Sequence, residues 1–321
     1  MNCIFKSVFK EELASFMDFI KLSVTDWKTY QCTLLSIDSY LHTQGLRERR
    51  IDAQQVKRWL DGSNVGLSTK KNKLSHIRKF SIYLSTLGIK ASLPELPRRT
   101  REFKPYVYSK DEITHIFEAV DDYTLTNRNS PIAAELPVFV RILYGCGLRS
   151  DEAQSLTWDD IDLSAGVITV KIAKNRKQRF VPMGGELTRI LNLYRKSPGF
   201  DAQDHGFLFR KNNGERRYKS IYRCIFNKIL CGLGIRNHRN TKYGSRGPCL
   251  HSLRHTFTLH SILKAASEGR GFMETVPFLS TYLGHKGLME TDKYLRAKHE
   301  LYTEAHTVIA DYIRDVFPQD V

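Results

Sequence analysis

Six side chains spread along the chain have types that together suit the cleavage of a phosphodiester. They are Arg149, Lys174, His251, Arg254, His285 and Tyr294. The set offers a phenol that can attack phosphorus and cations that can hold a phosphate, without a carboxylate cluster, a metal-ligand spacing or a glycine-rich phosphate loop. We therefore predict attack on a phosphate by a side-chain oxygen, with no cofactor and no metal ion.

The two arginines are the candidates for holding the phosphate. Arg149 follows a glycine turn in GLRSDE, which predicts an exposed guanidinium, and Arg254 lies in HSLRHTF, where an apolar helical pattern begins. Two guanidinium groups can donate forked hydrogen bonds to both non-bridging oxygens of a phosphodiester. They would stabilise the additional negative charge of a five-coordinate transition state. Either arginine alone would be interpreted as an ordinary surface residue.

A tyrosine needs help to act as the nucleophile. The pKa of a phenol is about 10, so it requires a base or a strong local positive potential, which the basic cluster supplies. The products would be a phosphotyrosine ester and a free hydroxyl. Because the ester keeps the energy of the broken bond, resealing would need neither ATP nor a metal ion.

The composition favours a polyanionic partner. The 321 residues include 50 Lys and Arg against 34 Asp and Glu, a formal net charge of +16. Such an excess favours nucleic acid as the partner, although charge used for solubility alone is the alternative. The six cysteines form no CxxC pair, and no apolar run approaches the ~20 residues of a membrane span. We expect a cytoplasmic protein with reduced cysteines and no membrane contact.

The elements that would position these residues fall into two domains. Apolar residues at helical spacing predict a helical domain over residues 1–93, and a basic, proline-rich linker follows over 94–106. Residues 107–321 form the predicted catalytic domain with a helical C-terminal tail. Within it, GVITVKI and QRFVPM predict a β-hairpin, and Ser109 to Glu112 predict a capping box. The expected fold class is mainly α with a small β-hairpin or sheet (α+β).

Basic residues of the first domain and the linker are candidates for backbone phosphate contact. They are Lys70, Lys71, Lys73, Arg78, Arg98, Arg99 and Arg101. Contacts of this kind position a protein on DNA without specifying sequence. The alternative for the lysines is an ordinary solvated helix face.

Four segments, in order, resemble the signature segments of the tyrosine recombinases, the phage-integrase-type site-specific recombinases. They are GLRSDEAQSLTWDDID, KIAKNRKQRFVP, HSLRHTF and LGHKGLMETDKYL, and the resemblance spans roughly residues 107 to 300. The helical first domain resembles the family's core-binding domain in size and placement only. The resemblance implies cleavage and rejoining of DNA at specific sites through a 3′-phosphotyrosine intermediate with a free 5′-hydroxyl, for integration or excision of a mobile element or a related rearrangement.

The resemblance also implies roles for the basic residues. Arg149 and Arg254 match the two catalytic arginines. Lys174, in the predicted hairpin turn, matches the lysine that acts as the general acid toward the 5′ oxygen. Lys171 and Lys177 are the alternatives, and the turn position favours Lys174.

The remaining roles fall on two histidines and a tyrosine. His251 matches the histidine assigned to proton transfer or phosphate contact, His285 matches the residue that hydrogen-bonds the scissile phosphate, and Tyr294 matches the nucleophile. His255 is expected to be buried or to act indirectly. Glu152 is expected to give structural support.

Other tyrosines and one long segment leave alternatives open. Tyr282 is nearer to His285 in sequence but lies in an apolar run, and Tyr302 and Tyr312 have the spacing of packing residues. The segment 264–278 is longer than in compact relatives, which is either a lengthened loop or a change in the placement of His285.

The resemblance implies double-stranded DNA sites as partners and a homotetramer on paired sites, with a monomer or weak oligomer off DNA. The C-terminal tail would dock either on a neighbouring subunit or on its own domain. A type IB topoisomerase and a catalytically silent DNA-binding protein of the same fold are the alternative functions.

Overall fold

The fold is mainly helical with one small antiparallel sheet, as predicted. The computed structural model describes residues 4–24, 26–95, 105–171, 178–197, 200, 203–236 and 247–284. The helices are α1 (Lys10–Ser23), α2 (Trp27–Thr43), α3 (Ala53–Asp61), α4 (Leu67–Thr86), α5 (Lys110–Thr126), α6 (Pro131–Gly145), α7 (Ser150–Gln154), α8 (Gly185–Arg195), α9 (Lys219–Gly232), α10 (Leu250–Ser267) and α11 (Phe272–Leu283). The strands are β1 (Ile161–Asp162), β2 (Val167–Val170) and β3 (Arg179–Pro182).

The chain divides into two compact units, Met1–Glu102 and Phe103–Val321. The division lies in the segment 94–106 that the prolines mark as a linker, and residues 96–104 of that segment lie outside the described residues. Each unit has a hydrophobic core of its own, which is the property that defines a domain.

The smaller unit is built from α1 to α4, whose apolar stripes form its core. In α2 the buried residues Tyr30, Leu34, Ile37 and Leu41 follow the three- and four-residue spacing that the sequence shows. The helix ends at Thr43, and Gly45 turns the chain with a φ of +63°. Burial of each large apolar side chain contributes about 1.5–3 kcal/mol, so the packing of these stripes stabilises the unit.

The larger unit is organised around α6, which packs against α5, α7, α8 and α10. Leu136, Phe139 and Leu143 of α6 are fully buried in its core. The predicted capping box at the start of α5 is confirmed, because Glu112 N donates to Ser109 Oγ at 3.1 Å and Ser109 N donates to Glu112 Oε2 at 2.8 Å.

The sheet confirms the predicted hairpin and extends it by one strand. β2 and β3 are antiparallel, with Ile168 opposite Val181, and both side chains are buried. β1 pairs with β2. A strand of two residues is too short to show the alternation of apolar and polar side chains that predicts a strand. The connection 172–177 between β2 and β3 lies outside the described residues.

The segment 264–278 is mostly helical rather than a long loop. It contains the end of α10 and the first half of α11, joined by a short connection in which Gly269 has a φ of +77°. Among the described helices, none has the length and apolar character needed to cross a membrane.

Candidate active site

Three of the six predicted site residues lie in the described part of the chain. They are Arg149, His251 and Arg254, whereas Lys174, His285 and Tyr294 lie outside the described residues. The described three come from the end of the α6–α7 turn and from the first turns of α10. The site is therefore built from elements that are far apart in sequence.

A tight glycine turn after α6 positions Arg149. Gly147 has a φ of +59°, and a Cβ added there would lie 2.4 Å from Cδ1 of Phe257. Because a side chain would both adopt an unfavourable backbone region and collide with Phe257, the turn requires glycine. The turn places Leu148 in the core and Arg149 at the N-cap of α7.

Arg254 lies on α10 and is almost completely buried, with 1 % of its side chain exposed. Its Nη1 donates to Gly147 O at 2.6 Å, and its Nη2 donates to Leu283 O at 2.7 Å. The guanidinium therefore joins the glycine turn before Arg149 to the end of α11.

Glu152 is a buried carboxylate that holds two guanidinium groups. Its Oε1 accepts from Arg149 Nη1 at 2.9 Å and from Arg179 Nη1 at 3.1 Å, and its Oε2 accepts from Arg179 Nη2 at 2.8 Å and from the Arg149 backbone N at 2.9 Å. Burial acts to raise the pKa of Glu152, but the hydrogen bonds from Arg179 and from the Arg149 backbone outweigh it and leave the pKa lowered. The structural support expected of Glu152 is confirmed.

The C-terminal end of α11 is the point where the guanidinium groups converge. Gly284 adopts the left-handed conformation, with a φ of +63°, and ends the helix. The carbonyls of the last turn accept from three arginines, through bonds of Arg179 Nε to Tyr282 O (2.8 Å), Arg149 Nη1 to Leu283 O (3.4 Å), Arg254 Nη2 to Leu283 O (2.7 Å) and Arg149 Nη2 to Gly284 O (3.3 Å). The last carbonyls of a helix have no intrahelical partner and carry partial negative charge, which favours cations there.

Arg149 and Arg254 are thus brought together as the sequence predicts, since both reach the carbonyl of Leu283. The predicted exposure of Arg149 is wrong, because its side chain is only 22 % exposed. Glu152 and the end of α11 cover the guanidinium. The cluster nevertheless holds three guanidinium groups around one carboxylate within the described residues, so an excess of positive charge remains.

The two histidines of HSLRHTF lie one helical turn apart on the same face of α10. His251 is exposed in the first turn, whereas His255 is buried, as expected. Their rings are in edge contact, with centroids 4.6 Å apart. The exposed ring is the one accessible to a ligand.

Arg179 is the member of the cluster that the sequence interpretation missed. It opens β3 and shares one strand face with Val181, which is fully buried. Its side chain is 11 % exposed. The signal was present in the alternation: an arginine two residues before an inward-facing valine points toward the core.

Two of the alternative residues, Lys171 and Tyr282, have other contacts in the structure, whereas the second alternative lysine, Lys177, lies outside the described residues. Lys171 follows β2 and pairs with Asp160, with 2.7 Å between Nζ and Oδ1, and the hydrogen bond to Asp160 raises the pKa of Lys171. Tyr282 stacks on Phe257 with ring centroids 5.6 Å apart, and burial raises the pKa of its phenol above the usual 10. Tyr302 and Tyr312 lie outside the described residues.

Lys70, Lys73 and Arg78 of α4 are half-buried and have partners within their own unit. Lys70 faces Asp61 at 3.5 Å, Lys73 lies over the Trp59 ring at 5.1 Å from its centroid, and Arg78 donates to the carbonyl of Pro94 at 3.3 Å.

Four further basic candidates complete the set. Lys71 lies beside Lys70 and Lys73 on the first turns of α4, whereas Arg98, Arg99 and Arg101 lie outside the described residues.

Across the described part of the chain, no three His, Cys, Asp or Glu side chains group closely enough to hold a metal ion.

Comparison with known proteins identifies the family. Residues 107–300 match the model of the phage integrase family. Tyrosine recombinase XerC of Staphylococcus aureus is 26 % identical over 290 residues, which cover 87 % of this chain and 89 % of that protein.

Solved structures share the fold at lower sequence identity. XerH site-specific recombinase bound to the palindromic difH substrate aligns with a TM-score of 0.64 at 19 % identity, covering 93 % of this chain and 84 % of that one. The Tn1549 transposon integrase in complex with circular intermediate DNA aligns with a TM-score of 0.64 at 16 % identity, covering 94 % and 99 %. The chain therefore belongs to the phage integrase family of tyrosine recombinases, enzymes that cleave and rejoin DNA at specific sites.

Proposed function

We propose that Tyr294 attacks a scissile DNA phosphate held by Arg149, Arg254 and His285, while Lys174 and His251 move protons. The observation that carries this proposal is the convergence of Arg149 and Arg254 on the carbonyl of Leu283. His285 follows Gly284 directly in the chain, so the arginine pair lies at the point from which the chain continues toward the proposed nucleophile.

The contacts of Arg149 are suited to exchange for a phosphate. Its bonds to Leu283 O and Gly284 O are 3.4 and 3.3 Å long, beyond the usual 2.9–3.0 Å of a strong N–H···O bond. A charged phosphate oxygen accepts more strongly than a carbonyl. Arg149 can therefore exchange its bonds to the two carbonyls for bonds to a DNA phosphate, while its bond to Glu152 is kept.

Arg254 contributes a fixed positive charge beneath Arg149. Its short bonds to Gly147 O and Leu283 O hold the guanidinium without freedom to reorient. Preorganised charge of this kind stabilises a developing anionic transition state without reorganisation during the reaction. The remaining positive charge of the cluster also favours ionisation of an incoming phenol.

Trapping of the covalent intermediate tests the proposal. We expect the full chain to form a covalent adduct with a nicked suicide duplex that carries its recombination site, and Tyr294→Phe to form none. Tyr282→Phe is the matched control, because burial raises the pKa of that phenol and makes it a poor nucleophile. The measurement is the fraction of protein shifted by covalently bound DNA on a denaturing gel.

The same assay separates the alternative functions. An adduct that survives Tyr294→Phe would overturn the assignment of the nucleophile. No adduct with wild-type protein on any bound duplex would support a catalytically silent DNA-binding protein. Relaxation of supercoiled DNA without a paired site would support topoisomerase-like activity.

Residues 1–93 are proposed as the core-binding domain, with Lys70, Lys71, Lys73 and Arg78 on α4 and Arg98, Arg99 and Arg101 in the linker 94–106 contacting DNA phosphates. The net charge of +16 supports this assignment. We expect log K for DNA to fall linearly with log salt, and each lysine-to-alanine change of a contacting residue to reduce the slope by about 0.9. A slope that the three lysine changes leave unaltered would remove α4 from the interface.

The active assembly is proposed as a homotetramer on two paired duplex sites, with a monomer or weak oligomer in the absence of DNA. The reaction is proposed to take place in the cytoplasm. Sedimentation of the full chain with and without its duplex distinguishes this assembly from a stable oligomer that forms without DNA.

A further inference from the structure

We infer that Arg179 is a positioning residue for strand cleavage, which fixes the C-terminal end of α11 relative to Arg149 and Arg254. The inference rests on the proposed function, in which the residues after α11 supply His285 and Tyr294. It assigns to Arg179 no contact with DNA. Its role is to hold the backbone from which those residues follow.

The contacts of Arg179 use all three nitrogens of its guanidinium. Nε donates to Tyr282 O at 2.8 Å, while Nη1 and Nη2 donate to the two oxygens of Glu152 at 3.1 and 2.8 Å. A planar guanidinium can donate to a carbonyl and to both oxygens of a carboxylate at the same time. A lysine ammonium cannot reproduce this geometry. The Arg179 side chain therefore fixes the distance between the end of α11 and the carboxylate of Glu152.

The carboxylate that Arg179 holds is shared with Arg149. Glu152 accepts from the Arg149 side chain and backbone, so movement of Glu152 would move the arginine proposed to contact the phosphate. β3 also begins with Arg179, directly after the segment that contains Lys174. Arg179 thus joins three parts of the chain that the proposed chemistry requires in a fixed arrangement: β3, α7 and α11.

Gly284 provides an independent sign that this contact is built into the helix end. A Cβ added at Gly284 would lie 3.1 Å from Arg179 Nη1, and the residue has a φ of +63°. The absence of a side chain lets the guanidinium lie against the last turn of α11. Gly269 ends α10 with a similar φ of +77° but has no atom within 4 Å of an added Cβ.

A role in stability alone accounts poorly for this arrangement. A buried ion pair contributes little compared with an apolar group of the same volume, because both charges lose their hydration. Apolar side chains in place of both Arg179 and Glu152 would serve stability as well as the ion pair does. The three bonds of Arg179 add what such a pair lacks, which is a defined position for Glu152 and for the carbonyl of Tyr282.

The experiment compares Arg179→Lys with Arg217→Lys in the full chain. Arg217 is the matched control: its Nε and Nη2 bind the two oxygens of Glu135 at 2.7 and 3.1 Å, and its side chain is 10 % exposed. The probe is a duplex selected from a randomised library by binding to the Tyr294→Phe chain, then nicked to trap the adduct. Thermal unfolding gives the folded fraction of each variant.

We expect Arg179→Lys to lower the single-turnover rate of adduct formation at saturating DNA by about 100-fold, the effect of a small misplacement of reacting groups. Its affinity for the duplex should stay at the wild-type value. Arg217→Lys should form the adduct at the wild-type rate per folded molecule, whatever its loss of stability. Gly284→Ala should slow the reaction in the same way, and Gly269→Ala should not.

Two results would overturn the inference. One is a wild-type adduct rate for Arg179→Lys, and the other is a loss that equals that of Arg217→Lys and follows the folded fraction. If wild-type protein forms no adduct on the selected duplex, the proposed function fails and this inference fails with it. If wild type reacts and Arg179→Lys reacts equally fast, only the inference about Arg179 fails.

Discussion

Two buried arginine–glutamate clusters lie in the described part of the larger unit, and they differ in what surrounds the carboxylate. Glu135 binds Arg217 through two hydrogen bonds and also accepts from the hydroxyl of Tyr222. Glu152 binds Arg179 through two hydrogen bonds and Arg149 through two more. The side chains of Arg217 and Arg179 are almost equally buried, at 10 and 11 % exposure.

A buried ion pair therefore does not locate an active site by itself. In the described contacts of Glu135, one carboxylate is paired with one guanidinium, that of Arg217. The hydroxyl of Tyr222 donates a further hydrogen bond to the carboxylate. Around Glu152, guanidinium groups exceed carboxylates and also donate to carbonyls at the end of α11. The candidate site differs from the Glu135–Arg217 pair in two ways. It carries an excess of positive charge, and it lies at the helix end from which the chain continues toward Tyr294.

Removal of each carboxylate's charge gives the largest expected effect. Glu152→Gln and Glu135→Gln should each lower the free energy of unfolding by about 3–5 kcal/mol, because each leaves a buried arginine without its counterion. Only Glu152→Gln should slow adduct formation per folded molecule, by about 100-fold. Chemical denaturation and single-turnover trapping measure the two quantities. Equal slowing in both variants would erase the distinction between the clusters.

The glycine turn that binds Arg254 gives a smaller effect. Gly147→Ala should lower the free energy of unfolding by about 1–3 kcal/mol through collision with Phe257, in addition to about 1–2 kcal/mol for a side chain in the left-handed region. Gly269→Ala should show the backbone contribution alone, since its added Cβ meets open space. Chemical denaturation of both variants gives the difference. Equal losses of unfolding free energy in the two variants would mean that the turn shifts enough to relieve the collision with Phe257.

The acid dependence of stability gives the smallest effect. The pKa of Glu152 is lowered from 4.5 in the folded state, so its ionised form contributes stability above pH 4.5. This contribution is lost as the pH falls through the lowered pKa. The difference in unfolding free energy between wild type and Glu152→Gln should therefore shrink below pH 4.5. A constant difference across the acid range would contradict the lowered pKa.

The sequence was sufficient for the elements whose signals are local. The spacing of Leu74, Ile77, Phe80 and Leu84 predicts the buried stripe of α4, and all four are buried. Alternation in GVITVKI and QRFVPM predicts β2 and β3 because side chains on a strand face opposite sides with a period of two. β1 escaped prediction because two residues cannot show a period.

The candidate site was predictable only in part. Arg149 and Arg254 were identified by motif, and their convergence on Leu283 O agrees with that expectation. The exposure of Arg149 was wrongly predicted, because the sequence gives no sign that the end of α11 covers it. The catalytic roles of all six residues, Arg149, Lys174, His251, Arg254, His285 and Tyr294, stay predictions.

Local patterns in the sequence were enough to predict the helices, the hairpin and the family to which the chain belongs. The burial of Arg254, the place of Arg179 in the cluster and the bonds of all three arginines to the carbonyls of α11 follow only from the packing of the folded chain. The two groups of features differ in the distance along the chain over which residues interact. Helices and strands follow from periodicities over a few residues, whereas a carbonyl at the end of a helix can select its donor from any part of the chain that packs against it.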